Sequence, residues 1–340
     1  MVFSFSLGPA AGVAMIVVVA KEDDVTLKEL RRLPGDAKVV LRGCTIEEFS
    51  TPEGKEALQD ANVLLNCIGQ KHLLGELYTL MPKLAWIHNR YAGVDNVIFP
   101  ALIESDRVCL TNARGLFSSS LAEYTVLSCL YFAKDVDRWK RQQREKKWEE
   151  YVITEIKGQT LGVIGYGDIG QTSARMAKGM GMKIIGQRRR PELSAGDGIA
   201  DEMLGPGQVG DLIAKSDYIL VSAALTEETK GMVGAAELAR AHPHAVIISI
   251  GRGPVIDEDA MTAMLQDGRL RGAALDVFST EPLPKESPLW QMENVLLSPH
   301  NADMTATFLN DSVRRFVDNM SGFLSGEEVS IHRVDARAGY

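Results

Sequence analysis

The eleven residues Thr160–Gly170, TLGVIGYGDIG, decide the fold of this chain. The run Thr160–Ile164 predicts a buried strand, and it leads directly into a glycine-rich turn from Gly165 to Gly170. A helical stretch follows from Gln171 to Met180, and Lys183–Gly186 predicts the next strand. The pattern GxGxxG is weak alone, but with a strand before it and a helix after it the pattern is typical of a dinucleotide-binding turn.

Each glycine of this turn has its own physical task. The first permits a tight turn, the second lets the backbone approach a pyrophosphate, and the third lets the helix pack closely on the strand. The helix N-terminus then presents amide groups and the positive end of its dipole to the phosphates. We therefore predict cofactor contacts at Gly165, Gly167, Asp168, Ile169 and Gly170. For the Asp168 side chain, a ribose contact and helix capping are both open, and capping is the preferred interpretation.

The end of the next strand distinguishes between the two nicotinamide dinucleotides. An acidic residue about 20 positions further on would bind the ribose 2′-hydroxyl of NAD. The chain instead reads GQRRRP at Gly186–Pro191, with no acid before Glu192. Guanidinium groups pair with a 2′-phosphate, which a carboxylate would repel. Arg188 and Arg189 thus predict NADP(H) as the preferred cofactor, whereas a merely solvated basic turn would leave NAD(H) possible.

Short apolar runs and helical stretches alternate along the rest of the chain. This alternation predicts an α/β protein with two doubly wound, parallel-sheet (Rossmann-like) domains. A long helix is predicted at Ser119–Asp137 between the two sets, and the charged segment Arg138–Glu150 is interpreted as exposed helix and loop. The predicted strands are Met15–Ala20, Lys38–Leu41, Val63–Ile68, Leu84–His88 and Val108–Leu110, then Thr160–Ile164, Lys183–Gly186, Tyr218–Ser222, Val246–Ser249, Gly272–Asp276 and Val295–Ser298.

Composition limits the possible partners and compartments. The 340 residues carry a formal net charge of −8, which argues against nucleic-acid binding through bulk positive charge. Four cysteines without a CxxC pair predict reduced thiols in a cytoplasmic protein. No stretch predicts a membrane span. The uncharged N-terminus is interpreted as leading into a buried strand, with a targeting role for about its first 14 residues as the alternative.

Three charged side chains follow predicted strands near the C-terminus. Arg252 stands in SIGRGPVID, Glu281 in GAALDVFSTEPLP and His300 in LSPH. Hydride transfer to a carbonyl carbon leaves negative charge on the oxygen, which an imidazole can protonate. A neighbouring carboxylate would orient the ring, and an arginine would hold a substrate carboxylate. We expect the three side chains to meet, because the carboxyl ends of parallel strands lie at one sheet edge. No metal site is predicted.

These motifs together resemble the D-isomer-specific 2-hydroxyacid dehydrogenase family. The resemblance rests on RYAGVDN at Arg90–Asn96, the glycine turn, the segments around Arg252 and Glu281, and PLWQMENVLLSPH at Pro288–His300. It implies that His300 is the acid/base, Glu281 its partner and Arg252 the substrate-orienting residue, so His300 and Arg252 both contact substrate. It also implies that the amides of Ala92, Gly93 and Val94 bind the substrate carboxylate, and that Asp276 lies near the nicotinamide.

The resemblance further implies a divided architecture. Residues 1–113 and 307–340 would form a discontinuous substrate domain, and 114–306 an inserted dinucleotide-binding Rossmann domain, with the active site in a cleft and a homodimer as the assembly. Arg188 in place of an acid is similar to the NADPH-preferring glyoxylate and hydroxypyruvate reductase branch. The expected function is reduction of small 2-oxo acids. The alternatives are an NAD-linked oxidase of a small anion such as formate or phosphite, and a dinucleotide-sensing, corepressor-like interaction protein.

Overall fold

The computed structural model describes residues 13–326, 329 and 332–339. Its contacts divide the chain into two compact units. The first unit runs to Leu116 and resumes at Thr305, and the second is the continuous segment Phe117–Met304. The assignment of these units to substrate and cofactor remains a prediction.

The first unit is built around a five-stranded parallel sheet of order β2-β1-β3-β4-β5. Its central strands are buried on both faces, and such strands read as continuous apolar runs, which made them visible in the sequence. The strands are β1 (Ala14–Val19), β2 (Ala37–Gly43), β3 (Val63–Asn66), β4 (Trp86–Asn89) and β5 (Cys109–Asn112), and the helices between them are α1 (Ile46–Phe49), α2 (Pro52–Asp60), α3 (Lys71–Leu80) and α4 (Pro100–Ile103), with a 3₁₀ helix at Val25–Arg32.

The first strand confirms the interpretation of the N-terminal apolar run. β1 lies between β2 and β3, and Ile16 to Val19 are fully buried there. The alternative of a targeting role concerns about the first 14 residues, of which residues 1–12 lie outside the described residues.

The second unit contains a seven-stranded parallel sheet of order β12-β11-β10-β9-β6-β7-β8. The chain leaves β6 toward one side and returns to its other side at β9, so the strand order reverses there, at the point where doubly wound sheets bind ligands. The helices are α5 (Ser118–Lys134), α6 (Val136–Glu145), α7 (Asp168–Gly179), α8 (Val209–Ile213), α9 (Ala235–Leu238) and α10 (Glu258–Gln266), and the strands are β6 (Thr160–Ile164), β7 (Lys183–Gln187), β8 (Glu202–Leu204), β9 (Tyr218–Val221), β10 (Val246–Ser249), β11 (Gly272–Leu275) and β12 (Val295–Leu297).

The structure confirms the predicted fold class and corrects two details. The single helix predicted at Ser119–Asp137 is two helices, because Asp135 adopts a left-handed conformation with φ +54°. Its carboxylate then accepts a hydrogen bond from the Arg138 N–H and starts α6. The edge strand β8 was not predicted, since its three residues carry a glutamate and are too few to show a period.

The chain returns to the first unit as α11 (Phe308–Leu324). Its buried side chains recur at helical spacing and form one apolar face. Phe316 stacks on Trp86 of β4 with ring centroids 4.9 Å apart, and Phe323 lies 5.4 Å from the same ring. At the helix surface, Arg314 pairs with Glu29 at 3.0 Å. The C-terminal helix therefore completes the core of the unit begun by the N-terminal strands.

Within the described residues, no helix is both long enough and apolar enough to cross a membrane.

Candidate active site

The glycine turn has the geometry predicted for binding a pyrophosphate. Gly165 has φ +88°, and a Cβ there would lie 2.4 Å from the Ala223 backbone nitrogen. A Cβ on Gly170 would lie 2.6 Å from the Gly165 carbonyl oxygen, so that glycine permits close packing of α7. A Cβ on Gly167 would have no described atom beyond its chain neighbours and its own helix within 4 Å. The turn thus leaves open space at the N-terminus of the twelve-residue helix α7, which fits a dinucleotide.

Asp168 is the first residue of α7, and the capping interpretation of its side chain is wrong. Gly167 occupies the cap position, and no side-chain capping bond is formed. The Asp168 carboxylate instead accepts a hydrogen bond from the Ser118 hydroxyl at the start of α5. The acid therefore joins two helices, and a ribose contact by Asp168 remains a prediction.

The two arginines after β7 differ in their surroundings. The Arg188 N–H donates to the Leu204 carbonyl on β8, and its Nη1 donates to the Ser194 hydroxyl at 2.6 Å. Arg189 pairs with Glu228 at 3.1 Å on the surface, where both side chains are largely exposed. The Arg188 backbone is therefore held by the edge of the sheet and its guanidinium by Ser194, and the phosphate contact expected of each arginine remains a prediction.

Arg252, Glu281 and His300 belong to three neighbouring strand ends, as predicted. They follow β10, β11 and β12, which are adjacent in the sheet. The structure brings Glu281 and His300 together, with Glu281 Oε2 2.7 Å from His300 Nδ1. The other carboxylate oxygen of Glu281 accepts from the Phe278 N–H at 2.9 Å, which fixes the carboxylate in the loop. Arg252 Nη1 donates to the Gly251 carbonyl at 2.9 Å.

The His300 backbone is strained. Its φ of +51° lies in the left-handed region, which a residue other than glycine rarely adopts. Such strain persists only where the surroundings hold it, and it is concentrated at functional sites. Nδ1 faces the Glu281 carboxylate, so Nε2 is the ring nitrogen to which the predicted acid/base role falls, and that role remains a prediction.

Asp276 stabilises the backbone on both sides of His300 through hydrogen bonds. Asp276 is 1% exposed, and its Oδ1 accepts a hydrogen bond from the Ser298 hydroxyl at 2.6 Å. The same oxygen accepts from the N–H groups of Asn301 and Ala302 at 3.0 and 3.1 Å. These contacts lie on both sides of His300 along the chain. Asp276 therefore anchors the His300 loop, and the nicotinamide contact expected of it remains a prediction.

Two titratable groups near His300 escaped the sequence analysis. Burial raises the pKa of Asp303, the Asp276 charge adds to that rise, and the charges of His300 and Arg252 oppose it. Burial also raises the pKa of Tyr124 to about 12, and its hydroxyl lies 3.1 Å from Ser298 Oγ. In the sequence, only the position of Asp303 three residues after His300 could have indicated that it lies near the site. Tyr124 lies within a predicted helix, and its sequence context gave no such indication.

Ala92, Gly93 and Val94 lie in the other unit, in the loop that follows β4. Asparagine side chains at the strand ends bond to the carbonyl groups of this loop. Over the described ranges, no group of three or more His, Cys, Asp or Glu side chains is arranged to hold a metal ion.

Comparison with known proteins gives a consistent result. A sequence profile described as "D-isomer specific 2-hydroxyacid dehydrogenase, NAD binding domain" matches residues 126–302. The chain is 32% identical over 317 residues to the glyoxylate reductase of Thermococcus litoralis, covering 87% of this chain and 93% of that protein. It is 30% identical to glyoxylate/hydroxypyruvate reductase B of Yersinia pestis, with coverage of 81% and 84%.

Solved structures agree with the sequence relatives. A D-isomer specific 2-hydroxyacid dehydrogenase from Xanthobacter autotrophicus, crystallised with NADPH and MES, superposes with a TM-score of 0.79. The two are 27% identical, and the match covers 96% of this chain and all of the other.

Proposed function

Because the chain belongs to the D-isomer specific 2-hydroxyacid dehydrogenase family, and is thereby an NAD(P)-dependent oxidoreductase, we propose that it reduces small 2-oxo acids to D-2-hydroxy acids. Glyoxylate and hydroxypyruvate are the proposed substrates, since relatives named for these two acids match most of the chain. The observation that carries the proposal is the 2.7 Å contact between Glu281 Oε2 and His300 Nδ1.

The proposed division of labour follows from the geometry. A bound reduced nicotinamide supplies the hydride. His300 Nε2 donates a proton to the carbonyl oxygen as negative charge develops there. The Glu281 carboxylate orients the ring through Nδ1 and stabilises its protonated form. Arg252 holds the substrate carboxylate and polarises the carbonyl group.

Substrate binding by the first unit is the second part of the proposal. The amides of Ala92, Gly93 and Val94 bind the substrate carboxylate from their loop after β4. A small substrate with one carboxylate can thus be oriented by backbone donors and one arginine.

NADP(H) is the proposed preferred cofactor. Arg188 stands where an acid would favour NAD, and its guanidinium is oriented by Ser194. The open cradle at Gly167 suits the pyrophosphate, and the Xanthobacter relative was crystallised with NADPH. NAD(H) remains the alternative if Arg188 makes no contact with the 2′-position.

The Glu281–His300 pair favours this function over its rivals. Oxidation of formate releases carbon dioxide and requires no acid/base for a hydroxyl group. A dinucleotide-sensing interaction protein would act through a surface groove, and that activity does not require a proton donor. The pair is therefore evidence for reduction of a carbonyl group.

A homodimer in the cytoplasm is the proposed assembly and location. The segment after α5 exposes apolar side chains, with Trp148 and Val152 96% and 97% exposed and Trp139 and Ile153 about half exposed. Exposed apolar groups gathered in one segment suit a protein partner, and a second copy is the proposed one. None of the four cysteines, all within the described residues, forms a disulfide, which suits a reducing compartment.

The direct test is a panel of substrates with each reduced cofactor. Loss of nicotinamide absorbance would be followed with glyoxylate, hydroxypyruvate, pyruvate and bulkier 2-oxo acids. We expect turnover of glyoxylate and hydroxypyruvate with NADPH. Activity with NADH alone would keep the acid/base site and reject the role of Arg188, and a silent panel would reject the proposed function.

A further inference from the structure

Three asparagines occupy the same register position at the ends of three neighbouring strands. Asn66 of β3 is paired with Asn89 of β4, and Asn89 is paired with Asn112 of β5. Paired residues of adjacent parallel strands present their side chains to the same face of the sheet. The three side chains are 0%, 1% and 4% exposed, and we call them the asparagine row. Buried amides must find partners, so the bonds they make show what they hold.

The asparagine row binds the backbone of the loop that follows β4. Asn89 Nδ2 donates to the carbonyl oxygens of Tyr91 and Gly93, at 2.9 and 2.8 Å. Asn112 Nδ2 donates to the Ala92 carbonyl at 2.6 Å. Three consecutive carbonyl groups of the loop are therefore directed toward the end of the sheet.

Two further hydrogen bonds fix the orientation of the two donor amides, Asn89 and Asn112. Asn66 Nδ2 donates to Asn89 Oδ1 at 2.9 Å, which leaves the Asn89 amide nitrogen facing the loop. Asn112 Oδ1 accepts from the Arg114 N–H at 3.2 Å, with the same consequence for its own nitrogen. Beneath the loop, Arg90 Nη2 donates to the Cys67 carbonyl at 2.6 Å and to the Tyr91 hydroxyl at 3.2 Å.

The directions of three N–H groups follow from the directions of the carbonyls. The peptide bonds from Tyr91 to Val94 are trans, and in a planar trans peptide the N–H points opposite to the C=O. With the carbonyls of residues 91–93 turned toward the row, the N–H groups of Ala92, Gly93 and Val94 point away from it. Within the described residues, nothing accepts a hydrogen bond from these three N–H groups.

We propose that Asn89 and Asn112 are positioning residues that build a three-amide binding site for the carboxylate of the substrate. Successive N–H groups turned in one direction form a concave site for an anion. The asparagine row fixes the orientation of the peptide planes in the loop through hydrogen bonds to their carbonyl groups. The three N–H groups therefore point in one direction without a glycine at each position. The inference rests on the proposed function, since it assigns to the row the carboxylate subsite of a 2-oxo acid.

The test compares Asn112→Ala and Asn89→Ala with a matched control, Asn62→Ala. Asn62 lies just before β3 at the opposite end of the same sheet, and its side chain bonds the backbone of Val13 and Met15. The readouts are KM for glyoxylate, kcat, the inhibition constant of oxalate as a carboxylate probe, the Kd of NADPH and the melting temperature.

The row variants should raise KM and the oxalate inhibition constant about tenfold or more, since one hydrogen bond to a charged group is worth that much. The Kd of NADPH should stay unchanged. The decrease in kcat should be smaller than the decrease in kcat/KM, because the amides hold the carboxylate both before and during the reaction. Asn62→Ala should lower the melting temperature and leave both anion constants unchanged. A row variant that loses stability but keeps wild-type KM and oxalate inhibition would overturn the inference.

Asn112→Asp covers the case in which the alanine variants do not fold. It keeps the side-chain shape and the acceptor for the Arg114 N–H but removes the donor to Ala92. The same rise in both anion constants is expected, and unchanged constants contradict the proposal. Failure of the proposed function is distinct, because the wild-type protein itself would then neither reduce glyoxylate nor bind oxalate, and the inference would fall with it.

Discussion

His300 and Glu281 are 19 residues apart in the chain, and their side chains meet at a distance of 2.7 Å between Nδ1 and Oε2. The contact is possible because β11 and β12 are adjacent in the sheet and both residues follow the strand ends. One carboxylate oxygen is used for the ring and the other for the Phe278 N–H. The imidazole is thereby oriented before any substrate arrives.

Replacing the imidazole tests its role as the proton donor. His300→Gln should lower kcat for glyoxylate reduction by about 10²–10⁴, the usual contribution of a general acid, while the Kd of NADPH stays unchanged. Glu281→Gln should give a smaller loss, because the ring remains but loses its charged partner. Steady-state kinetics and cofactor fluorescence measure the two effects. Wild-type turnover in His300→Gln would refute the acid/base assignment.

The arginines after β7 provide a paired test of cofactor preference. Arg188→Asp should shift the ratio of kcat/KM for NADPH over NADH toward NADH by about tenfold or more, since a charge-assisted hydrogen bond is lost and a repulsive charge is added. Arg189→Asp is the matched control, because its partner Glu228 already neutralises that charge at the surface. Equal shifts from both substitutions would show either a general charge effect or contacts by both arginines, and would contradict a special role of Arg188.

Substitution of Asp276 distinguishes its role as an anchor of the His300 loop from a role in binding the nicotinamide. If it anchors the His300 loop, Asp276→Asn should lower kcat and leave the Kd of NADPH unchanged, because the N–H groups of Asn301 and Ala302 lose a charged acceptor. If it contacts the nicotinamide, the Kd of NADPH should rise instead. We expect the first result. Cofactor titration followed by single-turnover reduction distinguishes the two.

His88 predicts a dependence of stability on pH. Complete burial lowers the pKa of this imidazole to about 3, whereas the unfolded chain takes up the proton near pH 6.5. Between these values the unfolded state binds one more proton, so the free energy of unfolding falls as the pH is lowered. The loss from His88 is about 2 kcal/mol between pH 7 and pH 5.

The variant His88→Gln removes that titration. It should be less stable than wild type at pH 7, because the contact of Nδ1 with the Thr111 hydroxyl at 2.7 Å is altered, yet it should lose less stability on acidification. Urea unfolding at pH 7 and pH 5 measures both. An identical pH dependence in the two proteins would contradict the assignment of this proton to His88.

The sequence was most informative where one residue type has one physical explanation. Gly165 needs its positive φ, and Gly170 needs the space that a side chain would fill, so the turn was predictable from its letters. The apolar runs of the central strands were equally clear, because burial on both faces leaves no room for polar residues. Glu281 and His300 were predicted to meet because parallel strands end at one edge.

Other features depend on pairings that a sequence does not contain. Nothing in the letters distinguishes Asn112 from any other asparagine after a strand, until the register aligns it with Asn89. The interpretation of Asp168 failed because its partner, Ser118, is 50 residues away. Asp276 was predicted to be a site residue from the family resemblance, but its bonds to the His300 loop depend on how that loop folds back.

The order in which the chain is synthesised has a consequence for the first unit. Its five strands are complete at Asn112, but α11, which packs Phe316 and Phe323 on Trp86, is encoded after the second unit. At ordinary rates of translation the 188 residues from Phe117 to Met304 take about 10–40 s to emerge. During that time the ribosome carries an unfinished sheet with an uncovered apolar face, while the continuous second unit has all its residues and can fold first. In the growing chain, all residues of the second unit are therefore available before the last helix of the first unit.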